Sequence, residues 1–135
     1  MKYLISGTVT GLISGMFLFI VSAAIERLTE LELMTLLLNI DFLTAHEFYF
    51  VTEVLFHLIT SVIIAVLLKF IFVNFQKFYI PALVFSWMLT SALFYVLDYL
   101  SIEEINLYGL QGFNVWMFIH LCYFILIFLL HKKGF

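Results

Sequence analysis

The sequence predicts an all-α integral membrane protein. The expected architecture is four transmembrane helices in an up-down bundle, with a short amphipathic interfacial helix in the first outer loop. Three observations predict it. Hydrophobic residues make up 65% of the 135 residues and charged residues 11%, against roughly 45–50% and about 25% in soluble domains. Mean hydropathy is +1.18, and a water-soluble fold of this size has too little polar surface to cover so much apolar area. The apolar residues also gather in four runs, each long enough for a spanning helix of about 20 residues.

The chain therefore reads as one four-helix domain, 1–135, with helices at about 3–28, 46–75, 78–100 and 112–131. The first run, Tyr3 to Ile25, carries no charge. Lys2 before it and Val21-Ser22-Ala23 near its end outline a signal peptide. Its length exceeds the apolar core of about 7–15 residues found in one, so it is expected to remain as a span. Gly7, Gly11 and Gly15 form two overlapping G-x-x-x-G patterns, and Ser14, Ser22 and Ala23 extend the small surface. In lipid, small residues draw helices together by letting backbones approach. Such a face packs either on the chain's own helices or on a homodimer or membrane-protein partner.

Thr29-Glu-Leu-Glu32 has capping-box spacing, and Leu33, Leu36, Leu37 and Ile40 follow at helical intervals. This predicts the interfacial helix, with a loop packed on the bundle mouth as the alternative. Thr44-Ala-His-Glu47 repeats the spacing before the second run, Phe48 to Phe75, which contains Glu53, His57 and Lys69. In the third run, Phe78 to Leu100, Pro81 is expected in the first helical turn, and Asp98 lies near the end. Ser101-Ile-Glu-Glu104 predicts another capped turn, and Gly109 and Gly112 punctuate the entry to the fourth run, Phe113 to Leu130, which holds His120. Tyr3, Phe75, Phe78, Tyr79, Tyr99, Tyr108 and Trp116 fall near the expected interfaces, where aromatic belts form.

With four spans drawn, Lys2, Lys69, Lys77, Lys132 and Lys133 lie on one side with no acid. Glu26, Glu30, Glu32, Asp41, Glu47, Glu53, Asp98, Glu103 and Glu104 fall toward the other, with Arg27. Lysine and arginine in short loops mark the cytoplasmic side. Both termini and the middle loop are thus expected in the cytoplasm, in a multi-pass protein of the cell inner membrane. Six Lys and Arg residues form no basic stripe, so nucleic acid is not expected as a partner. The lone Cys122 permits no disulfide framework and no C-x-x-C pair.

Glu53 and His57 stand four residues apart and share one helix face. His57 lies about 14 Å from the outer end at Phe48, and His120 about 10 Å from Phe113, at 1.5 Å per residue. Asp98 and Glu26 end their helices on the same side. These five residues are expected to converge on an interior pocket reached from outside, since ionisable groups in lipid normally face the bundle interior. Glu53, His57 and His120 are suitable donors for a metal ion, two opposed histidines suit a haem, and the same groups suit proton relay. A hydrogen-bonded network without ligand is the plainer alternative, and the sequence requires no cofactor. No zinc-protease motif is present, because His46-Glu47 is followed by Phe48-Tyr49-Phe50. No serine nucleophile motif, phosphate loop or dinucleotide fingerprint occurs either, so no catalytic residue is assigned.

The glycine-spaced first helix ending in Glu26, the stretch His57-Leu-Ile-Thr-Ser61 and the stretch Ile119-His120-Leu-Cys-Tyr123 give the chain a layout that resembles the YagU-like small four-helix inner-membrane proteins. Arg27-Leu-Thr-Glu30 stands where that family carries tryptophan and paired prolines. The resemblance implies the membrane and the four-helix layout but no defined chemistry. The glycine face, the small size and the lack of a catalytic motif favour an accessory subunit of a larger membrane assembly. The alternative is a transport-like or solute-sensing protein with an outward-facing acidic and histidine pocket. A metal- or haem-binding membrane protein is the second alternative.

Overall fold

The computed structural model describes residues 1–43 and 48–135, apart from the side chain of Asp41. The expected capping box at Thr44–Glu47 therefore lies outside the described residues. The described residues form five α-helices: α1 (Lys2–Leu28), α2 (Leu33–Leu37), α3 (Phe50–Asn74), α4 (Gln76–Leu100) and α5 (Leu110–Lys132). A 3-10 turn occupies Asp41–Leu43, and no strand occurs among the described residues. The four long helices are each long and apolar enough to cross a membrane.

These four stand in a ring in the order α1, α3, α4, α5, with α5 returning beside α1. Gly7 meets Val66, Gly11 meets Val62 and Gly15 meets Ser61 and Leu58, so α1 and α3 run antiparallel. Across the diagonal, Ser61 meets Tyr123 and Lys69 meets His131, so α3 and α5 run parallel. One end of the ring carries Glu26, Glu30, Glu32, Glu103 and Glu104 and is called the acidic end here. The other, with Lys2, Lys77, Lys132 and Lys133, is the lysine end. Leu67, Phe85 and Met88 point away from the bundle and are exposed, as faces that meet an apolar medium would be.

The glycine stripe explains how α1 lies so close to α3. A Cβ at Gly7 would come within 2.7 Å of Val66 Cα, and one at Gly11 would overlap Val62 Cα. The stripe is thus covered by α3 of the same chain. At the lysine end, α3 and α4 are joined by Phe75 alone, whose non-helical backbone (φ −135°, ψ 54°) reverses the chain between two helices. Because α4 begins at Gln76, Pro81 lies in its second turn rather than its first. Its missing N–H deprives only the Lys77 carbonyl, close to the helix start, where solvent can replace the bond.

At the acidic end the loops are sewn to one another. Thr29 closes α1 instead of opening α2: its hydroxyl donates to Ile25 O at 2.6 Å and accepts from Leu31 N. The five-residue α2 has Glu32 at its N-cap, and the Glu32 side chain makes no capping bond to the helix. Leu33 and Leu36 are fully buried and Leu38 nearly so, which spends the apolar side of this segment on the mouth of the bundle. Ser101 likewise ends α4 rather than capping a following helix, and its hydroxyl donates to Glu103 O. Asn106 bridges the two loops by accepting from Glu32 N and donating its own N–H to the Glu32 carboxylate. Past this bridge the chain turns through Tyr108 (φ 50°) and Gly109 (φ 58°). The turn brings the Leu107 carbonyl so near Gly112 that no Cβ fits there. Two members of the expected aromatic belt prove internal. Tyr79 and Trp116 are 2% and 1% exposed, and both spend their polar atoms inside the bundle.

Candidate functional site

A cavity of about 280 Å³ opens between α3, α4 and α5 toward the acidic end. Glu53, His57 and Ser61 line it from α3, Thr90 and Leu97 from α4, and Trp116, His120 and Tyr123 from α5. Asn39, Ile40 and Phe42 from the first loop close its top. Its walls are mainly apolar, with a few polar groups converging, which is the usual make-up of a ligand pocket. A second cavity of about 220 Å³ lies above it, lined by Thr35, Ser101 and Glu103 among others. Asn39 and Glu53 line both cavities, so they form the partition between an antechamber and an inner chamber.

Most polar side chains of the inner chamber are set by main-chain carbonyls. His57 Nε2 lies 3.0 Å from Gly15 O, and Ser61 Oγ donates to Gly11 O at 2.8 Å. Both carbonyls are reachable because the glycines that bear them have no side chain to shield the helix surface. The stripe therefore packs two helices and also anchors two chamber residues. His120 Nδ1 lies 2.8 Å from Trp116 O, one turn back on its own helix, and its ring sits against the Trp116 indole at 4.3 Å between centroids. Trp116 Nε1 donates to Thr90 O at 2.8 Å, tying α5 to α4. Ser61 Oγ and Tyr123 Oη are 2.8 Å apart.

Of the five residues expected to converge, Glu53, His57 and His120 line the chamber. Glu26 and Asp98 do not. The Glu26 carboxylate accepts from Thr35 N at 2.8 Å and from Thr35 Oγ1 at 3.0 Å, so it caps α2 from the last turn of α1. Asp98 lines a separate depression with Glu32 and Glu104 under the second loop. Both carboxylates sit at helix ends, where loop groups are nearer than the bundle interior. Among the described residues, no three His, Cys, Asp or Glu side chains gather as one metal-ligand set.

Three functional-looking features carry no sequence signal. Asn39, 7% exposed, donates from Nδ2 to Leu97 O and so hangs the chamber roof on α4. The Ser61–Tyr123 pair joins residues far apart in the chain, and no periodicity forecasts it. At the lysine end, Lys69 is 7% exposed rather than solvated. Its Nζ donates to His131 O at 3.3 Å and to Phe135 O at 3.1 Å and lies over the Phe72 ring. A cation there meets the carbonyl end of α5, where positive charge is favoured. Beside it, Tyr79 Oη and His131 Nδ1 are hydrogen-bonded at 2.8 Å. Compared with family models, curated proteins and solved structures, the chain finds no match in any of the three.

Proposed function

We propose that the chain is a multi-pass protein of the cell inner membrane that binds a small molecule from outside the cell, in a transport-like or solute-sensing role. The observation that carries this reading is the pair of adjoining cavities partitioned by Asn39 and Glu53, with His57 and His120 on the inner one. Ionisable groups placed within apolar helices are costly and mark ligand sites more often than structural ones. The charge asymmetry supports the orientation: with the lysine end cytoplasmic, the antechamber faces outward. The glycine stripe was one of three supports for docking to a larger partner or a second copy, beside the small size and the lack of a catalytic motif. With that stripe covered by α3, the chamber favours ligand binding over the accessory-subunit role.

Thr60 lines the chamber from α3 and makes no bond to another helix, since its hydroxyl donates to Phe56 O. In a Cys122→Ser background, Thr60→Cys is expected to react with a membrane-impermeant methanethiosulfonate added to the outer face of sealed vesicles. It should stay unreactive from the cytoplasmic face. Reaction from the cytoplasmic face alone, or from neither, overturns the reading.

A further inference from the structure

The hydrogen-bond polarity of the chamber defines the ligand it accepts. A main-chain carbonyl only accepts, so each atom facing one must be the donor. Nε2 of His57 faces Gly15 O, so it carries the proton, and in the neutral ring Nδ1 presents a lone pair. Nδ1 of His120 faces Trp116 O, so the lone pair of that ring is on Nε2. Ser61 gives its proton to Gly11 O, so in the Ser61–Tyr123 bond the tyrosine is the donor and its proton is spent too. Thr60 donates to Phe56 O, Thr90 to Trp87 O and the Trp116 indole to Thr90 O. Among the described residues, every hydroxyl, indole and imidazole proton lining the chamber is therefore consumed by the protein. What the imidazoles and hydroxyls leave for a guest is lone pairs.

A guest that offers only acceptors would leave those lone pairs and its own acceptors unpaired, and burying unpaired polar atoms is costly. A guest that offers donors satisfies both. The remaining features select among donors. The walls are apolar and include the aromatic residues Trp116 and Phe56, a residue type that attracts cations. Glu53 and Glu103 line the adjoining cavity, at an end rich in carboxylates, and negative charge there concentrates cations. The volume, about 280 Å³, sits at the small end of ligand pockets. Building on the outward-facing pocket proposed above, we infer that the inner chamber binds a small hydrophobic amine in its ammonium form, held through its N–H groups by the lone pairs of His57 and His120.

The test compares 2-phenylethylamine with two molecules of the same shape: benzyl methyl ether, which only accepts, and propylbenzene, which does neither. Binding to the full chain in detergent is read by quenching of Trp116 in a Trp87→Phe background. The amine is expected to bind saturably and about tenfold or more tighter than the ether, as bonds from a charged donor outweigh bare apolar contact. His57→Phe and His120→Phe are expected to abolish that advantage while leaving propylbenzene binding, which shows that the chamber is still formed. His120→Gln keeps an acceptor and should retain most of it. Ether binding as tight as amine binding, or saturable Zn²⁺ binding without any amine binding, overturns the inference. So does the absence of amine binding in a protein whose Thr60→Cys variant reacts from outside, and that combination leaves the outward-facing pocket standing.

Discussion

At the scale of single residues, the glycines of α1 have unequal jobs. A Cβ at Gly11 would overlap the Val62 backbone, which cannot move without shifting α3, whereas at Gly15 the nearest atoms are Ser61 and Leu58 side-chain atoms. Gly11→Ala is therefore expected to destabilise the fold by about 1–3 kcal/mol, as overpacking does, and Gly15→Ala by less. Reversible unfolding in mixed micelles, followed by tryptophan fluorescence, measures both. Equal midpoints for the two variants would contradict the packing described. Gly11 also holds Ser61 through its carbonyl, so a displaced α3 carries a chamber wall with it.

At the scale of elements, α2 is too short to stand by itself, since an isolated helix of fewer than about 12–15 residues is marginal. The bundle supplies its order through Leu33 and Leu36, and Glu26 supplies an acceptor for its third amide. Glu26→Ala is expected to cost about 0.5–2 kcal/mol locally, the range for losing a cap. Amide exchange over residues 33–38 should speed up while the middle of α3 is unchanged. Unaltered exchange there would show that Leu33 and Leu36 hold the segment without help. The same comparison shows what sequence reading reaches. Four helices long and apolar enough to span a membrane follow from run length alone, and the i, i+4 spacing of Glu53 and His57 puts them on one face. The start of α3 at Phe50 and of α4 at Gln76 was less legible, because Gln76 and Lys77 look like loop residues until a single-residue reversal at Phe75 makes them helical. Glu26 and Asp98 lie outside the chamber: Thr35 of the first loop captures Glu26 and Asp98 lines a depression under the second loop, and no periodicity encodes the paths of those loops. The chamber's hydrogen bonds to Gly15 and Trp116 carbonyls were illegible for a related reason: the backbone acceptors are the same at every position.

At the scale of the whole molecule, the charge asymmetry predicts an orientation with the lysine end cytoplasmic. A phosphatase reporter that folds only outside the cytoplasm, fused after Lys133, is expected to be inactive, and a cytoplasm-dependent fluorescent reporter at the same point to be bright. The reverse pattern would turn the antechamber toward the cell interior. The two ends of the bundle also differ in how they are fastened. Lys69, Tyr79 and His131 knit α3, α4 and α5 together at the lysine end. Toward the acidic end the space between α3, α4 and α5 is the chamber, which reaches the outer surface at Thr60 and Leu93.

That asymmetry makes the α3–α4 pair a lever with its fulcrum at one residue. Thr60 lies fifteen positions from Phe75, an arm of about 22 Å at the helical rise of 1.5 Å per residue. A tilt of about 5° between the two helices therefore displaces the chamber wall by about 2 Å at that radius, while the knitted end barely moves. A change in the two backbone torsions at Phe75 would therefore widen or narrow the space between α3 and α4 far from any atom a guest would touch.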